Sequence, residues 1–154
     1  MEPMTDQKPE NVRGLPTRRR TARAKATSEK QAPDEQALAL ARRIVDLASD
    51  KKAADIVLLE IYGLTTLADY FVICSGSSER QVGAIADGIV EGLREEGVRP
   101  IGREGSSSAH WVLLDFGSVV VHIMAPPERD FYQLERLWAD AEQVPIDGGQ
   151  GTGA

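Results

Sequence analysis

The chain has 154 residues, a formal net charge of -6, 42% hydrophobic residues, one cysteine and two histidines. This length suits one domain with a single core, and one cysteine excludes both a disulfide framework and a zinc site built from cysteine pairs. No apolar run reaches the ~20 residues of a membrane span, and the start lacks the apolar segment of a secretory signal. We therefore expect a cytoplasmic protein.

Charge divides the chain into a basic start and an acidic remainder. Residues 1–30 carry eight Lys/Arg against four Asp/Glu, whereas residues 31–154 carry ten against twenty. We predict that residues 1–32 form a disordered basic tail, because they contain too few large apolar residues to offset the entropy of ordering. Residues 33–144 then form the folded domain, and the glycine-rich residues 145–154 a flexible tail. The acidic domain does not favour binding nucleic acid by itself, although the basic tail could contact RNA.

Apolar spacing predicts the first elements in chain order. A helix follows Asp34, which is an N-cap candidate, and buried strands follow at 55–61 and 70–76. A second helix begins at about Ser78 and ends at Gly97. Its inward positions recur with helical spacing, at Val82, Ile85, Ala86, Ile89 and Leu93.

The second half of the domain is predicted to complete a mixed sheet. A short edge strand is expected at 99–102, and two further strands flank the turn-competent pair Gly117-Ser118. A last helix follows Pro126-Pro127, with four residues expected to point inward: Phe131, Leu134, Leu137 and Trp138. The order α-β-β-α-β-β-β-α predicts an α/β fold with a mixed sheet of about five strands and helices packed on it.

The segment 110–124, HWVLLDFGSVVVHIM, holds both histidines and raises the question of a metal or catalytic site. A two-residue loop at Gly117-Ser118 predicts three facing pairs: Asp115 with Val120, Leu113 with His122, and Trp111 with Met124. Because successive side chains on a strand alternate, Trp111, Asp115 and His122 then share one face of the sheet. His110 points to the other face, so a metal site built from His110, Asp115 and His122 is not expected.

Asp115 and His122 remain diagonal neighbours, which leaves two interpretations open. The carboxylate either orients the imidazole or caps the turn, or the two side chains form a general acid/base pair. Such a pair would need a nucleophile, for which Ser75, Ser77 and Ser78 are candidates by residue type only. The turn SGSSERQ, before the second helix, lacks the glycine patterns of a nucleotide-binding loop. We therefore favour the structural interpretation.

A family resemblance rests on four segments: DIVLLEI, GLTTLADYFVICSGSSERQVGAIADGI, HWVLLDFGSVVVHIM and ERDFYQLERLW. In this order and spacing they resemble the bacterial ribosomal silencing factor family, also called RsfS or Iojap-type, over roughly Gln36 to Ala141. The resemblance implies a topology related to nucleotidyltransferases, without their metal site. Gly76-Ser77 is followed by Ser78-Glu79-Arg80 and not by the Asp-x-Asp pair that would hold two metal ions. We expect no metal, no cofactor and no enzymatic activity.

The resemblance also implies a partner. Family members bind the large ribosomal subunit through its ribosomal protein numbered fourteen, block joining of the small subunit, repress translation, and form a homodimer when free. The matching contact positions are Trp111 and Val112, with Asp69, Tyr70, Asp115 and His122 at recurring positions around them. The alternative for Asp69 and Tyr70 is anchoring of loop to strand, and for Trp111 it is core packing. Other candidate functions are a divergent nucleotidyltransferase-like or hydrolytic enzyme and a large-subunit assembly factor.

Overall fold

The computed structural model describes residues 34–105 and 109–146. The helices in these ranges are α1 (Glu35–Asp50), α2 (Glu79–Glu95), α3 (Pro126–Tyr132) and α4 (Leu134–Leu137). The strands are β1 (Ala54–Glu60), β2 (Tyr70–Ser75), β3 (Gly102–Glu104), β4 (Trp111–Asp115), β5 (Val119–Met124) and β6 (Glu142–Gln143). The predicted order is confirmed, with α4 and β6 added at its end. The predicted basic tail lies outside the described residues, as does most of the predicted C-terminal tail.

The strands form one mixed sheet in the order β3-β4-β5-β2-β1-β6. The central strands β2 and β5 pair in parallel, and every other neighbouring pair is antiparallel. Both central strands are buried along their whole length, which explains why their sequences are apolar apart from Ser75 and His122. The predicted edge strand lies at the edge, but it begins at Gly102, where the predicted segment ends. Among the described residues, no helix is long and apolar enough to cross a membrane.

Helices α1 and α2 cover one face of the sheet. Asp34 caps α1 as predicted, since its carboxylate accepts a hydrogen bond from the Gln36 N–H at 3.1 Å. The five predicted inward positions of α2 are all fully buried, and Gly97 follows the helix with a φ of 85°. Cys74 is buried in the same core, and burial raises the pKa of its thiol to about 12. This thiol therefore packs as a small apolar side chain.

The turn before α2 is held by Gln81 in a variant of a capping box. The Ser78 Oγ accepts from the Gln81 N–H at 3.1 Å, which is the N-cap bond of α2. The Gln81 Oε1 accepts from the N–H of Ser77, one residue earlier than a capping box requires. The Gln81 amide nitrogen also donates to the carbonyl oxygens of Lys51 and Lys52. One side chain thus ties the start of α2 to the end of α1.

The N-cap gives a first testable prediction. Ser78→Ala should lower the free energy of unfolding by about 1 kcal/mol, because the first turn of α2 loses an acceptor for the Gln81 N–H. Urea denaturation followed by circular dichroism measures this difference. Ser78→Asp is the matched control, since aspartate also caps helices, and it should unfold close to the wild type. Equal destabilisation by both substitutions would contradict this account.

On the other face of the sheet, the last helix is not continuous as predicted, because it breaks at Gln133. This residue has a left-handed backbone with a φ of 45°, and it separates α3 from α4. Leu134 is buried and Trp138 half-buried, as predicted, but Phe131 is 77% exposed and Leu137 69% exposed. The expectation that Phe131 and Leu137 point inward is therefore wrong. A left-handed residue rotates the chain, so the residues on either side no longer share one helical face.

Candidate functional site

The hairpin of β4 and β5 has the predicted register. The facing pairs are Asp115 with Val120, Leu113 with His122, and Trp111 with Met124. The Asp115 carboxylate accepts a hydrogen bond from the Gly117 N–H at 2.8 Å. Asp115 therefore caps the turn, which was one of the two structural roles considered for it.

A row of six aromatic rings crosses this face of the sheet and is called here the aromatic row. Each ring contacts the next, with centroids 4.8 to 5.9 Å apart, a range typical of aromatic pairs. The members, in spatial order, are Phe131, Tyr132, Trp111, His122, Phe71 and Trp138. The row thus runs from α3 across β4, β5 and β2 to the residue after α4.

His122 lies in the middle of the aromatic row and is only 7% exposed. The Trp111 Nε1–H donates to its Nδ1 at 3.2 Å, which leaves the imidazole proton on Nε2. That Nε2 has no hydrogen-bond partner among the described residues. Burial lowers the pKa of His122 to about 4, because the charged imidazolium would lose its hydration. The imidazole is therefore neutral at pH 7.

The acid/base interpretation of Asp115 and His122 finds no support in these contacts. The Nδ1 of His122 accepts from Trp111, and the Asp115 carboxylate accepts from the turn. Ser75, one of the candidate nucleophiles, accepts a hydrogen bond from Arg129 through its Oγ at 2.7 Å. The hydroxyl of Ser77 donates to Gln81. In these contacts neither the hydroxyl of Ser75 or Ser77 nor the Asp115 carboxylate is paired with His122. The arrangement therefore does not resemble a hydrolytic centre.

His110 lies one residue before β4, close to acidic side chains of two helices. Its Nε2 is 2.7 Å from the Glu79 carboxylate at the start of α2, and its Nδ1 is 3.8 Å from the Glu128 carboxylate. Within 34–105 and 109–146, no three His, Cys, Asp or Glu side chains converge in an arrangement that could hold a metal ion. The two histidines therefore have separate surroundings.

The structure separates the predicted site residues into two groups. Trp111, Asp115 and His122 share the face of the aromatic row, and Trp111 is half-buried. Val112 is fully buried and Tyr70 is 2% exposed, both in the core beneath α1 and α2. A partner cannot reach these two side chains without opening the core, so the structure does not favour contact roles for Val112 and Tyr70. Burial accordingly raises the pKa of the Tyr70 phenol to about 12.

Asp69 lies at the base of the loop before β2. Its N–H donates to the Ser118 carbonyl at 2.8 Å, and its own carbonyl accepts from Ile61 and Tyr62. These backbone bonds join the loop to the hairpin turn. The anchoring alternative for Asp69 is thus supported, and its contact with a partner stays a prediction.

Sequence reasoning missed the exposed apolar side chains on the segments that cover this face. They are Leu64 (46% exposed), Leu67 (67%), Phe131 (77%), Tyr132 (48%) and Leu137 (69%). The two leucines belong to the loop that leads to Ala68, which packs in the core on this side of the sheet. Contiguous exposed apolar side chains mark sites of protein association, and among these five Phe131 and Tyr132 are in contact. For Leu64 and Leu67, the only signal in the sequence was the run LTTL in a predicted loop.

Comparison with known proteins identifies the family. A sequence model described as "Ribosomal silencing factor during starvation" matches residues 34–153. The chain belongs to this family. A ribosomal silencing factor RsfS from Halalkalibacterium halodurans is 44% identical over 104 residues, which cover 68% of this chain and 89% of that protein. The resemblance inferred from the four sequence segments is confirmed.

Two further relatives place this ribosomal silencing factor domain in context. A crystal structure of a Chromobacterium violaceum protein superposes with a TM-score of 0.65 at 36% identity, covering 74% of this chain and 94% of that chain. A mouse protein named mitochondrial assembly of ribosomal large subunit protein 1 is 35% identical over 98 residues, 62% of this chain and 43% of that protein. The first comparison confirms the predicted α/β fold, since 94% of that chain superposes on this one.

Proposed function

We propose that this chain represses translation by binding the large ribosomal subunit and blocking its association with the small subunit. It acts in the cytoplasm as a binding protein and not as an enzyme. Its family supports the silencing activity, and the name of the mouse relative supports the choice of the large subunit. The structural observation that most supports the proposal is that helices cover the two faces of the sheet unequally.

Helices of 16 and 17 residues cover one face, whereas the face of the aromatic row is covered by helices of seven and four residues. The short pair leaves Trp111 half-buried and Phe131, Tyr132 and Leu137 exposed. We call the three aromatic side chains, Trp111, Tyr132 and Phe131, the docking surface, because each contacts the next. Tryptophan and tyrosine are enriched among residues that dominate binding energy, because they bury much apolar area with few rotatable bonds.

The partner on the subunit is, in this proposal, the ribosomal protein numbered fourteen, as the family resemblance implies. Residues 31–154 carry ten Lys/Arg against twenty Asp/Glu. A net charge of this sign attracts a basic ribosomal protein and speeds its encounter with the docking surface. When the factor is free, a second copy covers the same apolar side chains in a homodimer. The basic residues 13–25, which include six Lys/Arg and no acid, add a contact with ribosomal RNA.

A second candidate function is assembly of the large subunit, which the name of the mouse relative favours. Both functions require binding to the large subunit, so one experiment separates them. The full chain is sedimented with mature large subunits, with precursor large subunits, and with small subunits. Silencing predicts binding to mature large subunits, and assembly predicts selective binding to precursors. Failure to sediment with either kind of large subunit would overturn the proposal.

A further inference from the structure

Arg129 of α3 connects three other segments of the chain. Its Nη1 donates to the Ser75 Oγ at 2.7 Å, and its Nη2 donates to the Asp55 carbonyl at 2.8 Å. Its Nε and Nη2 both donate to the Glu135 Oε2, at 3.0 and 2.5 Å. The Arg129 side chain is only 12% exposed. A guanidinium with a fixed fork of donors can hold β1, β2 and α4 at once.

The pair of Arg129 and Glu135 depends on the break in the last helix. Residues six apart on a continuous α-helix lie about 240° apart around its axis, so these two side chains would point in different directions. The left-handed Gln133 turns the chain and brings the Glu135 carboxylate back to the guanidinium. Burial acts to raise the pKa of Glu135, but the hydrogen bond and charge of Arg129 lower it overall. Glu135 is therefore a charged partner, and the ion pair stabilises a backbone conformation that glutamine rarely adopts.

The break at Gln133 determines where the side chains of Phe131 and Leu134 point. Before it, Tyr132 packs on the Trp111 ring at 4.8 Å and Phe131 packs on Tyr132 at 4.9 Å. After it, Leu134 is buried in the core of this face. A straight helix would place Phe131 and Leu134 on one side, because residues three apart share a helical face. The docking surface therefore exists only while the break is maintained.

We propose that Arg129 and Glu135 are positioning residues for ribosome binding. Their ion pair holds the break at Gln133 and so presents Tyr132 and Phe131 beside Trp111. This inference rests on the function proposed above, and it adds two residues that do not themselves contact the partner. It also predicts that the pair acts through the Tyr132 ring, so the effects of removing either should overlap.

A double-mutant cycle tests this inference. Arg129→Gln, Tyr132→Ala and the double variant are prepared in the full chain, and their dissociation constants for the large subunit are measured. We expect roughly tenfold weaker binding for each single variant and little further loss in the double variant, because residues that act through the same contact are not additive. Arg43→Gln is the matched control, since it breaks the 2.7 Å ion pair with Glu96 far from the aromatic row. It should bind like the wild type.

Near-ultraviolet circular dichroism of the free proteins supplies a second readout, which does not depend on the ribosome. Arg129→Gln should alter the signal of the Trp111–Tyr132 contact, as Tyr132→Ala does, and Arg43→Gln should not. An unchanged spectrum, wild-type affinity, or losses that multiply in the double variant would overturn the positioning role. If Arg129→Gln does not unfold cooperatively, Glu135→Gln is used instead, because it leaves the bonds of Arg129 to Ser75 and Asp55 in place. A wild-type chain that does not bind the large subunit would instead refute the proposed function.

Discussion

Trp111→Ala is expected to weaken binding to the large ribosomal subunit by about 30- to 1000-fold, since truncating an aromatic anchor costs about 2–4 kcal/mol. The Trp111 ring is half-buried, packs on Tyr132 at 4.8 Å and donates its N–H to His122. It is therefore held in one orientation before the partner arrives, so little conformational entropy is lost on binding. Quantitative sedimentation with mature large subunits measures the change in dissociation constant.

The matched control for Trp111 is Ile101→Ala. Ile101 is 74% exposed and lies beside Gly117, at the other end of the hairpin from Trp111. Removing it should leave the affinity unchanged, because it is not part of the docking surface. Both variants should still unfold cooperatively in urea. If Trp111→Ala loses cooperative unfolding, Trp111 is chiefly a core residue; if Ile101→Ala binds equally poorly, the contact is at the hairpin turn.

Protonation of His122 is expected to lower the free energy of unfolding by up to about 3 kcal/mol as the pH falls from 6.5 to 4. Burial lowers the pKa of His122 in the folded protein to about 4, from the ordinary histidine value of 6.5. The unfolded chain therefore binds the proton more tightly than the folded protein. The stabilisation due to the neutral imidazole is fully present above pH 6.5 and is lost progressively as the pH falls towards 4.

Comparison of the wild type with His122→Phe isolates this effect. The carboxylates titrate in both proteins, so the difference between their free energies of unfolding reports on His122. Urea denaturation at pH 7 and pH 4.5 should show a smaller loss of stability for His122→Phe, by about 2–3 kcal/mol. Phenylalanine preserves the ring against Phe71 and Trp111 while removing the titrating group. Parallel pH dependence of the two proteins would contradict the burial of a neutral imidazole.

Local patterns predicted much of the fold because the rules they reflect are local. The five inward positions of α2 follow from a period of 3.6 residues, and all are buried. The register of β4 and β5 follows from a two-residue loop at Gly117-Ser118. The break at Gln133 could not be predicted, because Phe131, Leu134 and Leu137 retain helical spacing. The Arg129–Glu135 ion pair that we propose to hold the break joins residues six apart, a spacing that places side chains on different sides of a helix.

The candidate site was predictable to a similar extent. Strand alternation placed Trp111 and His122 on one face, and the structure joins them by a hydrogen bond. The same alternation places Val112 on the opposite face, so its burial in the core could also have been predicted. Tyr132 is different, since it reaches Trp111 through α3, and no period in the sequence relates the two positions.

Subunit joining is the most direct test of the proposed silencing function. Purified large subunits are incubated with excess wild-type or Trp111→Ala protein, small subunits are added, and joined ribosomes are quantified by light scattering and sucrose-gradient sedimentation. The wild type should reduce joined ribosomes in proportion to the large subunits it occupies, while Trp111→Ala should permit normal joining. Unimpaired joining by large subunits that carry the bound wild-type protein would contradict the proposal that this factor acts by blocking subunit association.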